Sequence, residues 1–326
     1  MSGNEFGDFL RICSFGESHG VALGVVVDGV RPNVPIDMAA LQAELARRRP
    51  GTSAHVSPRR EPDEAELLSG VFEGRSTGAP IALLIRNRDA DPEAYRAFAE
   101  LFRPGHADFT WLAKFGIRDW RGGGRSSGRE TVARVAAGAI AKQILRAHGV
   151  EVFAHVSALG GVRGSRCDRD ALARSPIACA DPEAEPAMLA ALAAARADGD
   201  SLGCQVELRA LGVPAGWGDP VFAKLDARLG GAMLSIGGVK GVAFGAGFAL
   251  AHSRGSEAND PLPPCAERGP GGGILGGISS GAPIDLSLAI KPTPSIAKVQ
   301  ATIDLHGRPR ELALRGRHDP CLGPRI

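Results

Sequence analysis

Histidine, serine and arginine recur in this chain beside glycine, and those clusters are where chemistry could be done. Phe15-Gly16-Glu17-Ser18-His19-Gly20 holds three groups able to hydrogen-bond or transfer protons between two glycines. Glycine there lets the backbone come close to a ligand. Phe102-Arg103-Pro104-Gly105-His106-Ala107-Asp108 sets an imidazole near an arginine, across a proline of fixed φ and a permissive glycine. That pairing suits a general acid delivering a proton to a phosphate or carboxylate held by the arginine. Taken singly, each stretch also reads as a turn with an incidental histidine.

The most specific segment runs from Arg118 to Glu130, as RDWRGGGRSSGRE. A glycine-rich loop ending at a helix N-terminus presents free N–H groups and the positive end of the helix dipole. Arg118, Arg121, Arg125 and Arg129, with Ser126 and Ser127, make it an anion cradle. It lacks the Gly-Lys-Ser/Thr ending of a Walker loop, and no strand leads directly into it as a dinucleotide fingerprint requires.

Arg47 to Arg49, Arg59 and Arg60 place five arginines in fourteen residues. Three consecutive arginines cannot all point one way, so at least one faces inward. Arginine in a last helical turn also suits the dipole. Gly271 to Pro283 and the following Lys291-Pro292-Thr293-Pro294-Ser295 read either as backbone amides for a phosphorylated ligand or as turns between strands. Arg315 to Cys321 forms a last Arg/His/Asp group.

Composition bounds what these groups can serve. The 326 residues have 44% apolar and 23% charged side chains, as in soluble globular proteins. Gly and Pro make up about a fifth of the chain without a Gly-X-Y period. The net charge of +2 is too small to indicate nucleic acid. Only six of the 38 basic residues are lysine. Codon bias explains part of that excess. The bidentate fork of arginine, suited to phosphate and carboxylate, is a reason for the handful placed in the motifs, Arg48, Arg103, Arg125, Arg129 and Arg317 among them. The N-terminus has no signal-peptide pattern, and the most apolar run, Gly241 to Ala251, is too short to span a bilayer. Six cysteines without a Cys-x-x-Cys pair or zinc-ligand spacing point to a reduced, cytoplasmic, metal-free protein.

The elements that must position these groups follow from periodicity. Val21 to Val27 and Ile81 to Ile85 read as short buried strands. Asp37 to Arg49 reads as a helix capped by Asp37, with Met38, Leu41 and Leu45 on one face and Pro50-Gly51 as the stop. Thr131 to Leu145 is the clearest helix, with Val132, Val135, Ala136, Ala139, Ile140 and Ile144 as its stripe. Ser127 and Glu130 have capping-box spacing at its start. Ala187 to Arg196 is a further helix, and Ser253 to Pro270 a long surface loop. The expected architecture is one α+β domain over residues 1–326. The residues alone imply a small substrate carrying phosphate and carboxylates, with acid–base work falling to histidine; they do not give the reaction.

At these segments the chain resembles the chorismate synthase family. FGESHG, RRRPGTS, RREPDE, LSGVFEG, GAPIALLIRN, FRPGHAD, RGGGRSS, RETVARVAAGAIAK, GDSLG, GVPAGWGDPVF, GGILGGISSG, KPTPS and GRHDPC occur in order. The resemblance implies a β-α-β sandwich, commonly a homotetramer. It also implies 1,4-elimination of phosphate from 5-enolpyruvylshikimate 3-phosphate to chorismate with reduced FMN. By matching position it makes His19 and His106 the histidines at the flavin and at the departing phosphate. Asp319 and Ser18 become the pair implicated in deprotonation. Arg125, Ser126, Ser127, Gly237, Gly238, Gly276, Lys291, Pro292, Thr293, Pro294, Ser295 and Arg317 become flavin positions, and Arg48, Arg103 and Arg129 face the substrate.

The chain departs from the family pattern in places. Ala54 stands where an arginine linked to NADPH binding is usual, which favours a separate reductase over NADPH as the direct source of reduced flavin. Gly237-Gly238 replace an amide residue followed by Ala, so weaker flavin affinity is expected. Gly269-Pro270 replace Asn-His, and Gly128 replaces Ala. The sequence stops at Ile326, where the family continues into a helix, so a truncated, weakly active paralogue is the alternative. A third reading is a non-catalytic phosphometabolite- or RNA-binding protein. It does not explain why both histidines and Asp319 occur together.

Overall fold

Residues 3–51, 59–262, 268–314 and 318–325 are described by a computed structural model. Two five-stranded antiparallel sheets carry the architecture. The first runs Glu5–Phe6, Arg11–Gly16, Ala22–Asp28, Ile81–Arg86, Ala65–Ser69. Its centre is the Ala22–Asp28 strand, paired on both edges. Alternation aims Leu23, Val25 and Val27 at the core, where each is fully buried. The second sheet runs Val239–Phe244, Ile284–Ile290, Cys204–Leu211, Glu151–Leu159, Val162–Arg163.

The helix expected from Asp37 spans Met38–Arg48, and the Asp37 carboxylate accepts from the amides of Ala39 and Ala40 at 2.8 and 3.0 Å. Arg49, preceding proline, is extended (ψ 145°), which ends the helix. The long helix spans Thr131–Ala147 and buries Val132, Ala136, Ala139 and Ile140. These two helices pack on each other and on the first sheet. They run antiparallel: Gln143, near the end of the long helix, exchanges hydrogen bonds with the backbone of Asp37 at 2.8 and 2.9 Å. The last residue of one helix, Arg48, therefore meets the first turn of the other.

The long helix also touches the Glu151–Leu159 strand, so helices lie between the two sheets. The C-terminal turn Gly323–Arg325 contacts the Met38–Arg48 helix and two strands of the second sheet. The Ala187–Arg196 expectation is met by a helix over Glu185–Ala197, whose Met188 and Leu192 join the second core.

Two local expectations change, and the reading of Gly271 to Pro283 as turns between strands is met. Ser127 and Glu130 form no capping box. Ser127 Oγ accepts from the Arg129 amide at 3.2 Å, and the Glu130 carboxylate turns to Ser14 and Arg134 instead. The helix is reached through two single-turn 3-10 segments, Gly124–Ser126 and Gly128–Glu130. The Gly271 to Pro283 run includes two-residue strands, Ile274–Leu275 and Ile278–Ser279, turned by Gly276 and Gly277 at φ 61° and 86°. Positive φ at both turn positions is what a tight hairpin needs. The described part of Ser253 to Pro270 contains a short helix, Gly255–Ala258.

Candidate active site

The arginine cluster is held together by carboxylates that sequence reasoning did not single out. Arg48 is buried, as the inward-facing member of its triplet. Its Nη1 pairs with Asp63 at 3.0 Å, its Nε donates to Thr131 Oγ1 at 3.2 Å, and its Nη2 donates to the Gly128 carbonyl at 2.9 Å. Arg129 is 1% exposed and pairs with the other oxygen of Asp63. Asp63 is therefore a bridge between two guanidiniums, and it is itself 0% exposed. Burial and the charge of Arg325 push Arg48 down to about 9, with Asp63 opposing them. Glu61 adds a second buried carboxylate, 2.6 Å from Arg59 and 3.8 Å from Arg129.

Arg103 repeats this construction. Its Nε and Nη2 grip Asp108 at 2.8 and 2.7 Å, and Nη2 also donates to the Gly122 carbonyl at 2.9 Å. Burial pushes Asp108 up, but the hydrogen bond from Arg103 and the charges of Arg103 and Arg118 outweigh it and hold the carboxyl below its usual range.

The contact to Gly122 links this arm to His19. A Cβ on Gly122 would stand 2.3 Å from His19 Nδ1 and 2.9 Å from Ser18 Oγ. His19 Nδ1 lies 3.0 Å from Ser18 Oγ, and Ser18 is fully buried. Glycine at 122, with φ 79°, is what allows the loop to close on the imidazole.

His106 Nδ1 is 3.0 Å from the Pro104 carbonyl and therefore carries the proton; Nε2 is 2.8 Å from Ser295 Oγ. Desolvation, reinforced by Arg103, lowers this imidazole to about 4. It is neutral at pH 7 rather than an exposed, freely titrating histidine. His318 is lowered by burial and by Arg103, with Asp319 opposing. Asp319 pairs with Arg325 Nη1 at 2.6 Å, both largely buried.

A folded-state value of about 4 for His106 against 6.5 unfolded means that the unfolded chain takes up a proton first. Stability contributed by the neutral imidazole is therefore present above pH 6.5 and is lost as pH falls towards 4, by at most about 3 kcal/mol. Urea unfolding at stepped pH should show this loss. The wild-type minus His106→Asn difference should shrink through that window; a constant difference would disprove it.

Most of the remaining expected positions converge on the same region. A Cβ on Gly237 would stand 4.0 Å from the Ser126 carbonyl, and the Gly238 carbonyl accepts from the Lys291 amide at 2.9 Å. Lys291 Nζ donates to the Gly105 carbonyl at 2.6 Å, and Pro294 packs against Gly105. Pro292 lies against Gly203, and the Thr293 carbonyl accepts from Ser201 at 2.6 Å. Ser126 Oγ donates to Gly123 at 2.7 Å. Arg125 turns inward: Nη2 donates to Ser14 Oγ at 2.6 Å and Nη1 to the Gly16 carbonyl at 3.1 Å, tying the glycine loop to the Arg11–Gly16 strand. Gly276 stands apart, in a hairpin turn whose next residue packs on Lys224. Arg317 and Ala54 lie outside the described residues.

Sequence reasoning did not single out Asp63, Glu61, Asp108, Tyr95 or Arg325 as site residues. For the first three, a signal was available: a carboxylate lies within a few positions of each arginine group, in REPDE and in RPGHAD.

An α+β sandwich that gathers buried arginines, two imidazoles and a carboxylate around a glycine loop defines an acid–base enzyme for a multiply anionic small molecule. The chorismate synthase family profile matches residues 10–326. A chorismate synthase of Syntrophus aciditrophicus is 52% identical over 331 residues, covering 100% of this chain and 93% of the relative. One from Methanosarcina mazei is 51% identical over 337 residues, covering 100% and 92%. A crystal structure of chorismate synthase superposes with a TM-score of 0.73 at 31% identity, covering 88% of this chain and 85% of the other. The chain belongs to the chorismate synthase family and is a carbon–oxygen lyase that eliminates phosphate to form chorismate, a step of aromatic biosynthesis.

Proposed function

We propose that the chain acts on 5-enolpyruvylshikimate 3-phosphate with reduced FMN, through the residues gathered above. The observation that carries this reading is the continuous web from Arg48 through Asp63 and Arg129 to Glu61, Arg59 and Ser18, beside the Arg103–Gly122–His19 arm. Asp108 fixes the plane of the Arg103 guanidinium, and Arg129 Nη2 has no hydrogen-bond partner among the described residues. Substrate phosphate and carboxylates satisfy such donors.

His106 is the acid at the leaving phosphate. Its Nε2 faces the Ser295 hydroxyl, and an approaching phosphate dianion favours the imidazolium, reversing the direction set by burial and Arg103. Asp319, oriented by Arg325, and Ser18, against His19 Nδ1, form the deprotonating side.

The donor set also suits FMN. Lys291 is lowered by burial and by Lys240, and neither lysine forms an ion pair among the described residues. Two neighbouring ammoniums, one of them on the residue whose amide donates to the Gly238 carbonyl, suit a phosphate-bearing planar group. Lys291 to Ser295, Ser126, Ser127 and Arg125 would hold it, with Arg125 acting by bracing the loop. Held there, reduced FMN would supply reversible electron density for the elimination. NADPH is the alternative reductant to a separate flavin reductase.

The protein works as one domain over residues 1–326, as a cytoplasmic homotetramer without nucleic-acid or membrane partners. Among the described residues no helix is long and apolar enough to cross a membrane. The deciding experiment is anaerobic turnover of the substrate with photoreduced FMN, followed as chorismate absorbance. Chorismate is expected with reduced FMN and none with oxidised FMN. Equal rates in both would overturn the flavin assignment.

A further inference from the structure

Tyr95 is the one tyrosine of the chain, in the 3-10 turn Glu93–Phe98. Two residues given roles above meet its ring. The His19 imidazole lies with its centroid 4.8 Å away and the planes at 67°, an edge-to-face pair. The Arg103 guanidinium carbon lies 5.6 Å from the Tyr95 centroid, within cation–π range. His19 is thus enclosed by Tyr95 and by the Gly122 backbone, with Ser18 as its polar tether. Arg103 is gripped at one edge by Asp108 and stands over the same Tyr95 ring.

This contact is not a core contact. The Glu93–Phe98 turn contains no buried residue, and Tyr95 is only half-buried. The turn is anchored without it: Arg118 Nη2 donates to the carbonyls of Phe98, Ala99 and Leu101 at 3.0, 2.7 and 2.8 Å.

We propose that Tyr95 is a positioning residue for the elimination, its ring setting the His19 imidazole and the Arg103 guanidinium relative to one another. The inference rests on the roles of His19 and Arg103 given above. Both contacts use the π face and edge of the ring, which phenylalanine keeps and leucine lacks.

The test is anaerobic steady-state kinetics of wild type, Tyr95→Phe, Tyr95→Leu, His19→Ala and the His19→Ala/Tyr95→Leu double variant, with Tm measured on each. Leucine should lower kcat/KM about ten- to thirtyfold at unchanged Tm, and phenylalanine should restore most of that. In the His19→Ala background leucine should cost no more than about threefold, since coupled residues are not additive. A wild-type rate in Tyr95→Leu, an undiminished loss in the double variant, or a loss in Tyr95→Phe equal to that of leucine would overturn the proposal alone. Full activity in His19→Ala would overturn the role of His19 and this proposal with it.

Discussion

Replacing His106 with alanine should lower kcat by about 10²- to 10⁴-fold, the range that a positioned general acid contributes, while substrate binding measured by calorimetry changes little. The structure argues for both halves. His106 Nε2 is directed at Ser295 Oγ, between the Lys291 to Ser295 run and the Arg103 arm, where a leaving phosphate held by arginine would find it. Without substrate the imidazole is neutral at pH 7, because burial and Arg103 lower it to about 4. It therefore adds no charge to the binding of the free substrate. Once a phosphate dianion is bound, the imidazolium is favoured, and the acid is formed where it is needed. The alkaline limb of the kcat–pH profile should accordingly vanish in His106→Ala. Proportional loss of binding and kcat, with the limb retained, would instead place His106 among the groups that only hold substrate.

Replacing Asp63 with alanine should destabilise the protein by about 3–5 kcal/mol, the usual consequence of removing one partner from a buried ion pair. Asp63 is fully buried and pairs with both Arg48 and Arg129, so its loss leaves two guanidiniums in a desolvated site with Arg325 and Arg59 close by. Arg48 already stands at about 9 with Asp63 supporting it. Asp63→Asn separates charge from shape, since asparagine accepts the φ of 50° found there. It should retain part of the stability lost in alanine. Denaturant unfolding of the two variants measures this. Wild-type stability in Asp63→Ala would mean that the arginines find other partners and that the bridge is not what holds them.

Much of the scaffold was legible because its signals are local. Asp37 caps its helix, Pro50 ends it, and the stripe from Val132 to Ile144 faces the core, since capping, proline sterics and a 3.6-residue period act within a few residues. The inward turn of one arginine in the triplet was legible too, on steric grounds alone. The capping box at Ser127 was misread for a related reason. Its spacing is correct, but Glu130 is drawn away by Ser14, more than a hundred residues earlier in the chain.

What the sequence determined by itself was the inventory: which histidines sit in glycine turns, which arginines cluster, and which family the ordered segments resemble. What only the tertiary structure decided was who neutralises whom. The antiparallel packing of two helices delivers Arg48 to the first turn carrying Gly128 and Thr131, and the chain after residue 59 returns Asp63 between Arg48 and Arg129. Arg325 reaches Asp319, and Tyr95 lies between His19 and Arg103, through contacts that no spacing rule encodes. The physical reason is that a buried charge is defined by its surroundings. Desolvation and partner charges set whether an arginine binds substrate, braces a loop or anchors a helix end, and for Arg48 and Arg129 the partner charge comes from a residue distant in sequence.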